Sequence, residues 1–155
     1  DNIIIEKLNK LFFECDKHIL RIESASKKMS KTIPLNGSRY TNLTEDEIEH
    51  IDQFLFRFAK LQDAMGQKLF RTILIFLKED IDGKPFIDIL NLMEKLYLID
   101  NAYEWKELRN DRNELAHNYE DEPELMSESI NKLYFKKDIL ISIYQNLKIE
   151  FKNRI

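Results

Sequence analysis

Residues that interrupt helices are rare in this chain. Its 155 residues include only three glycines and three prolines, while 34% are charged and 43% are hydrophobic. Glycine and proline are the residues that most often break or end a helix, so this composition is typical of long helices joined by few turns. A chain of this length can bury a sizeable core as one domain. We therefore expect a single all-α domain spanning residues 1–155.

The spacing of apolar residues predicts how the helices divide along the chain. Thr44 and Glu47 form a capping-box pattern that opens a long helix, and Gly66 is a candidate bend within it. Residues 38–42 follow several turn-forming residues and are predicted to be a loop. Helices are predicted over about residues 2–31, 45–76, 86–96, 101–118 and 123–151. The expected architecture is an up-and-down bundle of four long helices plus a short one.

Charge and residue types narrow the classes of function. The net charge of −4 argues against binding nucleic acid over the whole surface, so any RNA contact must come from a local basic site. Cys15 is the only cysteine, which favours a reducing compartment and a cytoplasmic protein. Three histidines without metal-ligand spacing and three scattered glycines predict neither a metal site nor a cofactor. No apolar run is long enough to predict a membrane span.

The segment around Arg112 combines an apolar stripe with a cation. A helix turns about 100° per residue. One side of the helix predicted over about residues 101–118, extended by one residue, therefore carries Trp105, Leu108, Arg112, Leu115 and Tyr119. Four of these five are apolar or aromatic, so the stripe is expected to face a core or a partner. A guanidinium on such a stripe is costly unless it is paired or reaches water or an anion.

A polar stripe runs beside it. Arg109, Asn113 and His117 follow one another at intervals of four residues. Arginine offers a planar fork to phosphate oxygens, and histidine titrates near physiological pH. The two stripes together suit a phosphate group.

Taken singly, each of these residues has an ordinary structural interpretation. Arg112 could pair with a carboxylate such as Glu104 or with one on a neighbouring helix. Asp63 is a candidate partner, although a solvated position is the favoured interpretation for it. His117 could simply be stabilised near a helix C-terminus, and Tyr119 could be a packing residue. The conjunction of all these residues favours a functional interpretation.

The pattern Arg112, four residues, His117 and then Tyr119 resembles the R-x4-H-x-Y motif of HEPN-domain proteins. The resemblance covers Trp105 to Tyr119, and elsewhere it depends on an all-helical layout alone. It implies an HEPN-like bundle and an RNA-cleaving toxin, of the kind often encoded beside a minimal nucleotidyltransferase antitoxin. The implied substrate is RNA, and the implied antitoxin would silence the toxin by adding AMP to Tyr119.

The resemblance also implies roles for the motif residues. Arg112 and His117 would be catalytic, with Arg112 holding the scissile phosphate and His117 acting as general base or general acid. Asn113 would orient the phosphate or the imidazole, and Arg109 would add positive potential. The product would be a 2′,3′-cyclic phosphate, and no metal would be required.

A homodimer is expected on two grounds. Arg112 and His117 point roughly 140° apart on one helix, so a site that uses both is easier to build from two copies of the chain, as the family resemblance implies. Trp105 and Leu115 are also expected to need a partner's surface.

Two other interpretations remain open at the level of sequence. Some HEPN domains resemble non-catalytic modules that bind a nucleotide or substrate for a nucleotidyltransferase, and the acidic net charge favours that interpretation. In the other, the protein is a purely structural bundle and the motif arises by chance.

Overall fold

Seven α-helices and one π-helical segment form the regular structure of this protein, seen in a computed structural model that describes residues 1–118 and 120–155. In chain order these are α1 (Asn2–Met29), α2 (Gly37–Thr41), α3 (Glu45–Asp63), the π-helical segment (Ala64–Leu69), α4 (Phe70–Phe76), α5 (Phe86–Lys95), α6 (Ala102–His117) and α7 (Pro123–Lys152). No strand occurs in these two described ranges. The predicted all-α class is therefore confirmed.

The capping residues explain where several helices begin. Thr44 and Glu47 form the predicted capping box at the start of α3, with Glu47 N donating to Thr44 Oγ1 at 3.2 Å and Thr44 N donating to Glu47 Oε1 at 2.9 Å. Asn101 Oδ1 accepts from the backbone N–H groups of Tyr103 and Glu104 at the start of α6. Pro123 occupies the first turn of α7, as predicted.

The predicted loop at residues 38–42 is wrong, because Gly37–Thr41 forms the short helix α2. The turn-forming residues before it act as a helix start: Asn36 Oδ1 accepts from Arg39 N at 2.8 Å. A distant residue completes the cap, since Glu124 Oε1 of α7 accepts from Gly37 N at 2.6 Å. With α3, the π-helical segment and α4 counted as one long helix, the bundle thus has two short helices, α2 and α5, where one was expected.

The long helices pack around α1, which lies between α3 and α7. Thr32, just after α1, donates to Glu47 near the start of α3, so these two helices run antiparallel. At the other side of α1, Tyr144 of α7 donates through its hydroxyl to Phe12 O at 3.1 Å and to Asp16 Oδ1 at 2.7 Å. Phe12 also packs against Phe151, with ring centroids 5.8 Å apart. The hydrophobic core joins these three helices and extends to buried residues of the π-helical segment, α4, α5 and α6.

Helix α6 is fixed on one face by α7. Asp111 is buried and accepts from Lys136 Nζ at 2.8 Å, with Lys132 Nζ at 4.0 Å. This face turns toward α7, so the opposite face of α6 is left for α3 and the π-helical segment.

None of the helices in residues 1–118 and 120–155 combines the length and the apolar content that a membrane span requires.

Gly66, the candidate bend in the long helix, lies within the π-helical segment Ala64–Leu69. A Cβ added to Gly66 would lie 2.9 Å from Cζ2 of Trp105, closer than real Cβ contacts come. The glycine therefore allows the indole of α6 to lie directly against this backbone. π-Helical turns inserted in α-helices occur frequently at functional sites.

Replacing Gly66 with alanine should destabilise the fold. The new methyl group must displace the buried Trp105 ring, which we expect to lower the free energy of unfolding by about 1–3 kcal/mol, measured by urea denaturation. Gly37→Ala is the comparison, because its Cβ would displace only the Glu124 side chain, so its cost should be limited to the loss of one cap hydrogen bond, about 1 kcal/mol. A Gly66→Ala variant as stable as the wild type would contradict the close packing described here.

Candidate functional site

The apolar stripe of α6 packs within its own chain. Trp105 and Leu108 are buried, with exposed fractions of 2% and 1%, and the Trp105 ring lies 4.8 Å from that of Phe70. Leu115 is partly buried and packs against the same core. The expectation that Trp105 and Leu115 need a partner's surface is therefore wrong. For Trp105, Gly66 of the π-helical segment and Phe70 of α4 supply that surface instead.

Arg112 is paired end-on with Asp63, the last residue of α3. Its Nη1 donates to Oδ1 at 2.9 Å and its Nη2 donates to Oδ2 at 3.1 Å. The favoured interpretation of Asp63 as a solvated position is thus wrong, and Asp63, rather than Glu104, is the carboxylate partner. A guanidinium has five N–H groups. The end-on pairing leaves the Nε–H side of Arg112 without a protein partner among the described residues.

The Arg112–Asp63 pair lies in a cleft of about 290 Å³ between α6, the end of α3 and the π-helical segment. Three of the four site residues predicted on α6 meet here, namely Arg109, Arg112 and Asn113. The cleft is also lined by seven residues that were not predicted as site residues, among them Asp63, the carboxylate partner of Arg112. These are Gln62, Asp63, Gly66, Gln67, Arg71, Phe86 and Trp105.

The cleft is locally cationic on an acidic protein. Arg71, Arg109 and Arg112 line it and Asp63 is the one carboxylate in the lining, whereas the whole chain carries a net charge of −4. The Arg109 guanidinium lies 5.1 Å from the centre of the Phe86 ring, over its face. The sequence required any RNA contact to come from a local basic site, and this cleft is such a site.

Polar atoms at the base of the cleft lack hydrogen-bond partners. Gln62 is only 3% exposed, and neither its Oε1 nor its Nε2 is hydrogen-bonded to another described residue. The same holds for Nε1 of Trp105. Leaving a buried polar group unpaired costs about 1–3 kcal/mol, so atoms of this kind call for an explanation.

The sequence contains a signal for Gln62 that the motif-based analysis did not use. Gln62 stands four residues after Phe58 and seven before Leu69, on a helical stripe that is otherwise apolar. A polar residue at such a position is unusual. Arg71 and Phe86 carry no comparable signal, because they reach the cleft only through the packing of α4 and α5.

His117 lies apart from the cleft. It is the last residue of α6, and its exposed side chain makes no hydrogen bond or ion pair to any described residue. Its helix ends there, where Asn118 takes an extended backbone conformation and donates from Nδ2 to Ser129 Oγ of α7 at 2.7 Å. Arg112 and His117, which were predicted to act together, therefore do not meet within one chain. Tyr119, the predicted modification site, lies outside the described residues.

Other reactive groups are placed away from the cleft. Burial raises the pKa of the Cys15 thiol to about 12, with the neighbouring carboxylates of Glu14 and Asp16 adding to the rise, so this cysteine stays protonated. Within residues 1–118 and 120–155, no group of three or more His, Cys, Asp and Glu side chains could hold a metal ion. The chemistry available in the cleft is that of arginine, amide and indole groups and of the Asp63 carboxylate.

Comparison of the chain with models of protein families, with curated proteins and with solved structures gives no match. The function therefore has to be inferred from the cleft and the motif themselves.

Removing the charge of Asp63 should strengthen anion binding in the cleft. Asp63→Asn frees Arg112 from a competing carboxylate, so we expect roughly tenfold tighter binding of a 2′-O-methylated RNA trinucleotide, measured by fluorescence anisotropy. The pair is about one-third exposed, so stability should fall by less than about 1 kcal/mol. Asp52→Asn is the control, because Asp52 is an exposed aspartate of the same helix that does not line the cleft. Unchanged or weaker binding by Asp63→Asn would show that the anion does not reach Arg112.

Proposed function

We propose that this protein is an RNA-cleaving enzyme of the HEPN type, acting without a metal ion, and that the cleft beside α6 holds the RNA backbone. The observation that carries the proposal is the group of three arginines in the cleft, Arg71, Arg109 and Arg112, on a chain whose net charge is −4. Binding of polyanions depends on such local cationic sites. A purely structural bundle would have no need for this arrangement.

Arg112 binds the scissile phosphate in this proposal. Asp63 occupies the end of the guanidinium and holds its plane in place through two hydrogen bonds. The Nε–H side remains available for a phosphate, which arginine can bind with two parallel hydrogen bonds. Charge that builds on the phosphate oxygens during cleavage is then stabilised by a group that is already oriented. Arg109 and Arg71 add positive potential around it.

His117 supplies proton transfer. As general base it takes the proton of the ribose 2′-hydroxyl, whose oxygen attacks phosphorus, while the bond to the 5′-oxygen breaks. The leaving 5′-oxygen takes a proton from water, and His117 then returns its own proton to the solvent. The products are a 2′,3′-cyclic phosphate and a 5′-hydroxyl. Because His117 lies outside the cleft of its own chain, it serves the cleft of a second copy in a twofold homodimer.

Regulation by a partner is the second part of the proposal. In this proposal a minimal nucleotidyltransferase antitoxin transfers AMP to Tyr119, two residues after His117. The added phosphate and bulk would repel and block RNA beside the imidazole.

A second candidate function is a non-catalytic module that binds a nucleotide or substrate for a nucleotidyltransferase partner. The specific observation in its favour is the separation of His117 from the cleft, since binding alone does not require the histidine. Under this alternative, Arg112 and the cleft would bind the phosphate of a ligand that is not cleaved.

The decisive test is cleavage of a mixed RNA pool in the presence of EDTA. We expect the wild type to leave cyclic-phosphate ends, and Arg112→Ala and His117→Ala to lose at least about a hundredfold in rate, as groups with these roles typically contribute. Arg21→Ala and His50→Ala are matched controls, with the same changes on α1 and α3. Cutting that survives in both motif variants would exclude this site, and a folded wild type that binds RNA without cutting it would favour the second candidate.

Mixing the two inactive variants tests the dimer. If Arg112 of one chain works with His117 of the other, a mixed dimer of Arg112→Ala and His117→Ala chains contains one intact pair and regains activity. If both residues act within one chain, no activity returns. Sedimentation as a strict monomer at micromolar concentration would also exclude the shared site.

A further inference from the structure

The bottom of the cleft offers hydrogen-bonding groups that the proposed binding of phosphate does not use. Gln62 presents one acceptor and two donors from α3, and Trp105 presents one indole N–H donor from α6. Both side chains are more than nine-tenths buried, and these atoms have no partners among the described residues. They lie in the same cleft as Arg112 and Asn113. A ligand bound at Arg112 therefore has these groups within the same pocket.

The types of atom restrict which ligand could pair with them. A phosphate or carboxylate accepts hydrogen bonds only, so it would leave Oε1 of Gln62 unpaired. The edge of a nucleobase carries donors beside acceptors, and side-chain amides pair with such edges through two hydrogen bonds. A nucleobase is thus the part of an RNA strand that could satisfy both ends of the Gln62 amide.

The upper part of the cleft provides a surface for stacking. Phe86 is partly buried, and the exposed Arg109 guanidinium lies over its ring at 5.1 Å from the centroid. Unpaired RNA bases stack on aromatic rings and on arginine planes. The volume of about 290 Å³ is at the lower end of the range for ligand pockets. It suits one base with its phosphate better than an extended cofactor.

We propose that this cleft is a base-binding subsite, in which one nucleobase stacks beside Arg109 and Phe86 while its edge pairs with Gln62 and the Trp105 indole. This subsite rests on the proposed function, because it places the adjoining phosphate on Arg112. The Gln62 amide turns toward the nucleobase on binding and uncovers the Trp105 N–H beside it, since all three of these polar atoms are shielded in the free chain. The base belongs to a nucleotide, either within a single RNA strand or free.

The proposal predicts opposite effects of one substitution on stability and on binding. Gln62→Met keeps the side-chain length and removes the unpaired amide, so we expect a melting temperature roughly 2–4 °C higher than that of the wild type. The same variant should bind a 2′-O-methylated RNA trinucleotide at least about tenfold more weakly, because the base loses its hydrogen-bonding partner. Gln53→Met, the same change about 13 Å earlier along α3, is the matched control and should leave binding unchanged.

Probes with and without a base separate this subsite from the phosphate site. The wild type should bind the trinucleotide about a hundredfold more tightly than an abasic ribose-phosphate analogue of equal charge. Gln62→Met should reduce that difference to about tenfold, because stacking beside Arg109 and Phe86 remains. Equal binding of the two probes by the wild type would overturn the subsite and leave Arg112-dependent cleavage untouched. Lower stability of Gln62→Met with unchanged binding would also overturn it. Base-dependent binding without any RNA cleavage would support the subsite and reject the ribonuclease.

A final binding measurement shows whether the bound nucleobase belongs to a free nucleotide or to an RNA strand. Nucleoside 5′-monophosphates that bind as tightly as the trinucleotide would assign the subsite to a free nucleotide. Much weaker binding of the monophosphates would assign it to a base within an RNA strand.

Discussion

The contact between Trp105 and the glycine backbone at Gly66 determines the geometry of the whole site. The indole can approach the π-helical segment because Gly66 has no Cβ, and it packs against Phe70 one turn further on. This contact sets the distance between α6 and the end of α3, so it also brings Arg112 within reach of Asp63. Without it, the cleft between these elements would either close or lose its shape.

The two faces of α6 have different roles. On one face the buried Asp111 pairs with Lys136 and holds the helix against α7. The other face carries cations into a cleft whose base has an unpaired amide at Gln62. Unpaired buried polar atoms reduce stability, and proteins retain such costs mainly where function requires them. The rigid attachment to α7 keeps the less stable face in a fixed arrangement, which favours binding with little rearrangement.

The sequence predicted the local features of this protein better than the long-range ones. Helix starts such as the Thr44 capping box depend on residues within one turn, so their signals are visible in the sequence. The start of α2 was missed because Glu124, far along the chain, completes its cap. The stripe containing Trp105 was correctly predicted to face a core or a partner, but periodicity cannot distinguish the chain's own core from another copy. Arg71 joins the cleft only through tertiary packing, which no local pattern encodes.

The most direct test of the cleft as the RNA-binding site uses Trp105, the only tryptophan in the chain. A proton–nitrogen NMR spectrum therefore contains a single indole Nε1–H signal, and it comes from the base of the cleft. During titration with a non-cleavable 2′-O-methylated RNA trinucleotide, we predict that this signal shifts and saturates together with the backbone signals of Arg112 and Asn113. An indole signal that stays unchanged while backbone signals elsewhere report saturated RNA binding would contradict the account.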